Sequence, residues 1–149
     1  TLDDVDAILS DVSSLSLDAV TDAAFGGDPV ALDDSLRRLA AEGTSPSAIL
    51  GAALRHALAL LAARAEIDGG RPAGAVVETW RGLSFRRRDA VGAQLNRWTA
   101  AALRRATERL QAAVLASRRS ADLGPALTAR VLADLACEAR RRGGPPGRR

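Results

Sequence analysis

The sequence predicts an all-α fold, one compact domain of about seven or eight helices joined by short loops. Two observations carry this. Apolar residues recur at helical spacing nearly throughout, and helix-start and helix-stop residues punctuate the chain at short intervals. No stretch shows the strict alternation of a strand.

Each element follows from those signals. Thr1 is placed to cap a first helix with Leu2, Val5, Ile8 and Leu9 on one side. Ser16 is placed to cap a short second one carrying Leu17, Val20 and Ala24. The run Phe25-Gly26-Gly27-Asp28-Pro29 is a break and then a start, with Asp28 as N-cap and Pro29 at the first helical position. Leu32, Leu36 and Leu39 follow at helical spacing, and Gly43 stops the helix. Ser45-Pro46 repeats the start and opens the longest, most apolar segment, to about Glu66. Its Ile49, Leu50, Ala53, Leu54, Ala57, Leu58, Leu60 and Leu61 cover about half of the circumference, as a central helix requires.

The loop Asp68-Gly69-Gly70-Arg71-Pro72 comes next, then a short helix over 75–81 ended by Gly82. Ser84 is placed to cap a helix from Phe85 to about Arg97. Thr99 caps a long helix to about Ser117, with Leu103, Ala106, Leu110, Ala113 and Val114 inward. Gly124-Pro125 opens the last, with Leu127, Val131 and Leu135 inward. The domain spans residues 1–142, and 143–149 form a Gly/Pro/Arg-rich tail.

The composition removes whole classes of chemistry. All 21 basic residues are Arg. Without Lys there is neither a P-loop nor Schiff-base catalysis. Single His and Cys residues, His56 and Cys137, are too few for an ordinary zinc site or an intrachain disulfide. Asp3-Asp4 and Asp33-Asp34 are adjacent pairs. On a helix they point about 100° apart and cannot work as a carboxylate dyad. Carboxylate-only catalysis survives the composition, as do binding and assembly roles, but nothing in the spacing supports a small carboxylate hydrolase; with no catalytic motif, a non-enzyme without cofactor or metal is expected. His56 sits at the edge of its helix's apolar arc with Ala52 and Leu60 four residues away, a poor setting for a metal ligand.

Charge is unevenly spread. Residues 1–42 hold ten acids and two Arg, net −8, and residues 43–149 hold eight acids and 19 Arg, net +11. Arg86, Arg87 and Arg88 fall in the first turn of a predicted helix, where cations oppose the helix dipole at about a few tenths of a kcal/mol each. An acidic patch on a neighbour or on this chain's own first third, a phosphate backbone, or a solvated charge run would each accommodate them. Arg140, Arg141 and Arg142 are candidates for nucleic-acid contact. Trp98, just before the cap Thr99, and Trp80 are either core residues or interface anchors. Cys137 lands on the Arg130/Arg141 side of the last helix as an incidental thiol. No stretch approaches the about 20 apolar residues of a membrane span, and no signal peptide opens the chain. A lone thiol fits a reducing compartment, so a cytoplasmic location is expected. The start at Thr1, without Met, fits a piece of a longer protein.

Residues 25–55 carry a more specific order: Phe25, Gly27-Asp28, Ala31-Leu32, Leu36, Leu39, Glu42-Gly43, Pro46, Ile49-Leu50, Leu54-Arg55. Later come Phe85-Arg86-Arg87, then Gln94-Leu95 and Trp98. Over roughly residues 1–120 this resembles the C-terminal domain of the bacterial DNA polymerase III delta subunit. One departure stands in the penultimate long helix, where the family often has a carboxylate and a Lys. Residues 112–119 offer only Arg118 and Arg119. The resemblance implies a helical collar domain that assembles the clamp loader with the equivalent domains of its other subunits. Contact with the sliding clamp would run through N-terminal AAA+-like domains absent from this chain, and DNA would be met through the assembled loader. The alternative class is an Arg-rich helical module that binds nucleic acid directly.

Overall fold

The computed structural model describes residues 1–143, with 6–13 described by backbone alone. Among the described residues there are seven α-helices, two single-turn 3-10 segments and no strand. In chain order the α-helices are α1 (Leu2–Gly26), α2 (Pro29–Ala41), α3 (Pro46–Asp68), α4 (Ala73–Glu78), α5 (Arg88–Arg97), α6 (Ala100–Arg119) and α7 (Gly124–Arg142). The 3-10 segments precede α5 (Phe85–Arg87) and α7 (Ala121–Leu123). The all-α expectation holds.

Three predicted starts are built as expected. The side chains of Asp28, Ser45 and Thr99 accept from the backbone N–H of Ala31, Ala48 and Ala102 at 3.0, 3.2 and 3.1 Å. Each satisfies a donor that the helix leaves orphaned. Three others differ. Thr1 makes no capping bond to the backbone; its hydroxyl donates to Asp4 at 2.7 Å. Ser16 starts nothing. No Gly or Pro interrupts residues 2–25, so the backbone ladder runs through it as one 25-residue helix. Ser84 makes no capping bond either, and the chain takes one 3-10 turn before α5 begins at Arg88.

The core centres on α3 and α6. Leu50, Ala53, Ala57 and Leu60 of α3 are fully buried, as are Leu103, Ala106 and Leu110 of α6. Small Ala surfaces bring the helices close, and each buried Leu contributes about 1.5–3 kcal/mol. The apolar arc of α3 is narrower than expected, because Leu58 is exposed. By length and composition α3 is long and apolar enough to cross a membrane, with an 18-residue window of mean hydropathy 1.4. This corrects the expectation that no such stretch exists. In the fold, α3 is the central helix of the bundle.

The far end of α1 shows how three helices are joined. A helix leaves its last four carbonyls without intrahelical partners. Here every one finds a donor. The Ala23 carbonyl accepts from Asp28 N–H at 3.0 Å and Ala24 from Gly27 N–H at 3.4 Å. Phe25 accepts from the Trp98 indole at 2.9 Å and Gly26 from Arg97 at 2.8 Å. Gly27 is required twice: its φ is +75°, and a Cβ there would lie 2.7 Å from the backbone nitrogen of Arg140 in α7.

Candidate functional site

Trp98 is not an interface anchor. It is 1 % exposed. As the extended C-cap of α5 it swings its ring under α1, edge-to-face with Phe25 at 5.5 Å between centroids. Its one polar atom is spent on the Phe25 carbonyl, so no edge remains for a partner.

The Arg86–Arg88 triplet splits. Arg87 turns inward. Its Nε and Nη2 donate to the two oxygens of Asp22 at 2.8 and 2.9 Å, and its Nη1 lies 3.2 Å from Asp18. The acidic patch for this arginine is therefore the chain's own α1. The Asp22 hydrogen bond holds the Arg87 guanidinium pKa above its ordinary value. Arg86 and Arg88 are not so used. Arg86 is exposed, and no carboxylate of the described residues lies within bridging distance of it. Arg88 is half-buried with its guanidinium 5.3 Å from the centre of the Phe85 ring, and its Nε is covered without a hydrogen-bond acceptor. Phe85 itself is 81 % exposed. A large aromatic ring with the Arg88 guanidinium against it and Arg86 next in sequence thus stands on the surface, beside a cleft of about 630 Å³ between α4 and α5 lined by Val77, Gly92 and Ala93 among others.

Behind Arg87 lies a polar network that sequence reasoning missed. Asp22 also accepts from the Gln94 amide at 2.9 Å. The Gln94 carbonyl oxygen pairs with Nε2 of His56 at 2.6 Å. That pairing needs the His56 proton on Nε2, since an amide oxygen only accepts. α1, α3, α5 and the 3-10 turn each contribute one side chain. Phe25 and Trp80 flank the imidazole at 5.3 and 6.2 Å. Burial pushes the His56 pKa below 6.5, against the smaller raising effects of Gln94 and Asp22. His56, Trp80, Arg55, Asp18 and Arg87 line a cleft of about 680 Å³. Among the described residues no three His, Cys, Asp or Glu side chains are placed to share a metal ion.

The second triplet lies at the end of α7. Arg142 bonds Glu138 at 3.2 Å and sits 5.8 Å from the centre of the Trp98 ring. Arg140 and Arg141 are exposed. Cys137 is exposed on the same helix. Of the expected tail, residues 144–149 lie outside the described residues.

A second surface is apolar. A groove of about 530 Å³ runs between α2, the start of α3 and the first turns of α7, lined by Leu36, Ala40, Pro46, Ile49, Pro125 and Ala129 among others.

The fold and surfaces thus define an all-α bundle with one aromatic-basic edge and one apolar groove. Comparison with known proteins adds no relative: no family model matches the chain, and neither curated proteins nor solved structures give a match.

Proposed function

We propose that this chain is the C-terminal collar domain of a DNA polymerase III delta subunit, a cytoplasmic assembly module of the clamp loader. The observation that carries an assembly role is the apolar groove between α2, α3 and α7. An apolar concavity at the surface is the kind of feature that receives a neighbouring helix. The assignment to the loader comes from the order of residues 25–55 and 85–98. The groups in that order do structural work here: Gly27 and Asp28 turn α1 into α2, and Leu32, Leu39, Leu50, Leu95 and Trp98 fill the core. The partners are the other loader subunits, met through equivalent helical domains. Mixing the purified chain with those subunits tests the reading. Co-elution in one complex is expected, and weakening by Ala129→Arg, at an exposed position lining the groove, would tie it to that surface. Elution of the chain alone at micromolar concentrations would overturn it.

A second reading is favoured by Phe85. An exposed ring that stacks on a base, beside arginines that meet phosphates, is the chemistry of sequence-tolerant single-strand binding. On this reading the chain touches nucleic acid directly through Phe85, Arg86 and Arg88. Titration of a fluorescent single-stranded oligonucleotide should show binding that weakens steeply with salt. Binding unaffected by Phe85→Ala would exclude the edge.

A further inference from the structure

We infer that Asp22 and Arg87 are positioning residues for the Phe85 edge, buttressed from behind by Gln94 and His56. The inference rests on the nucleic-acid reading of that edge. The 3-10 turn Phe85–Arg87 has no buried residue of its own. Ser84, Phe85 and Arg86 are exposed, so hydrophobic packing does not hold the turn in place. Among the described residues, the turn's side-chain hydrogen bonds to the rest of the molecule are those of Arg87. The fork of two parallel bonds fixes the guanidinium plane as well as its distance. The carboxylate that receives the fork is itself held in register, because Asp22 also takes the Gln94 amide, and Gln94 is turned the right way by His56.

With Arg87 drawn toward α1, its neighbours Phe85 and Arg86 stand out in solvent. One arginine of three is thus a tether, and the ring it sets is preorganised for a base. Preorganised contacts bind more tightly because less ordering cost falls on the binding step. α5 does not depend on the tether, since Val91, Leu95 and Trp98 bury it independently. Loss of the fork should loosen the turn while the bundle stays folded.

The test compares Asp22→Asn, Arg87→Lys, Phe85→Ala and Asp22→Asn/Phe85→Ala in titrations of a labelled 20-nucleotide oligothymidine. Measurements are made well below each variant's melting temperature. Phe85→Ala should weaken binding about tenfold, the effect of one lost base stack. Asp22→Asn should weaken it several-fold. Arg87→Lys keeps the charge, loses the fork and should do the same. The double variant should bind no more weakly than Phe85→Ala alone, because the ring that the clamp positions is gone. Phe85→Ala binding as tightly as wild type removes the nucleic-acid reading itself. A weakened Phe85→Ala with wild-type binding by both clamp variants overturns the positioning role. So do losses that simply add in the double variant.

Discussion

Two arginine triplets, Arg86–Arg88 and Arg140–Arg142, are alike in sequence and opposite in setting. Each gives up one member to the fold: Arg87 to Asp18 and Asp22, Arg142 to Glu138 and the Trp98 ring. Arg86, Arg140 and Arg141 are left exposed, and Arg88 half-buried. The difference is the helix end. Arg140 and Arg141 sit in the last turn of α7, where cations favour the helix. Arg86 and Arg88 stand at the entry to α5, where the same charges oppose it. Helix stability accounts for the second triplet and leaves the first unexplained. The first triplet also has the exposed ring of Phe85. A charge run placed against local stability, beside an exposed aromatic, is where function is to be sought.

The largest expected effect falls at the residue that touches both regions. Trp98 ends the helix that Arg86–Arg88 begin, and Arg142 lies over its ring. Trp98→Ala should cost about 3–5 kcal/mol by emptying the junction. Trp98→Phe keeps most of the ring but orphans the Phe25 carbonyl, at about 1–3 kcal/mol. Denaturant titration separates the two, and a Trp98→Phe variant as stable as wild type would deny the hydrogen bond a role. Next comes Arg87→Ala. It strips Asp22 of its charged partner in a site only about one-fifth exposed. A loss of about 1.5–3 kcal/mol is expected. Arg140→Ala should cost far less in the same assay.

The network behind Arg87 should also give the protein a pH signature. His56 faces Asp22 and Asp18 of α1, Arg87 of the 3-10 turn and Gln94 of α5. Its folded pKa is depressed, so the unfolded chain takes up the proton first. The stability it contributes is therefore present above pH 6.5 and lost as pH falls through the folded pKa. Melting temperature should drop as pH falls below 6.5 in wild type, and less in His56→Gln. Parallel profiles would mean that His56 is not the titrating group.

The smallest effect carries the sign that separates the two triplets. Replacing Arg86 and Arg88 by Gln should raise stability by about a few tenths of a kcal/mol, and replacing Arg140 and Arg141 should lower it by a similar amount. Two changes of the same sign would erase the distinction.

Much of the fold was legible because its signals are local. Asp28-Pro29, Ser45-Pro46 and Thr99 announce helix starts with the residue that makes the bond, and Gly27 and Gly43 take the positive φ that stops require. Ser16 misled because a good cap residue starts a helix only where something has ended the previous one. The site was largely illegible because its contacts are long-range. Asp22 meets Arg87 across 65 residues and Gln94 across 72, and His56 meets Gln94 across 38. Nothing in the spacing of Asp22 marks it. Gln94 was the available clue: it is a polar residue on the buried face shared with Val91, Leu95 and Trp98, and a buried amide requires partners. For Trp98 the sequence left core and interface open, because a residue at a helix junction can face either way. The extended backbone at the C-cap turns it inward.

The most direct test of the contrast is oligonucleotide titration of two charge-reversed variants, Arg86→Glu/Arg88→Glu and Arg140→Glu/Arg141→Glu, at low salt. If the Phe85 edge binds nucleic acid, the first should lose binding and flatten its salt dependence, while the second should bind within a small factor of wild type. Equal losses in both would contradict that reading, because net charge would then explain the binding and the edge set by Phe85 would not.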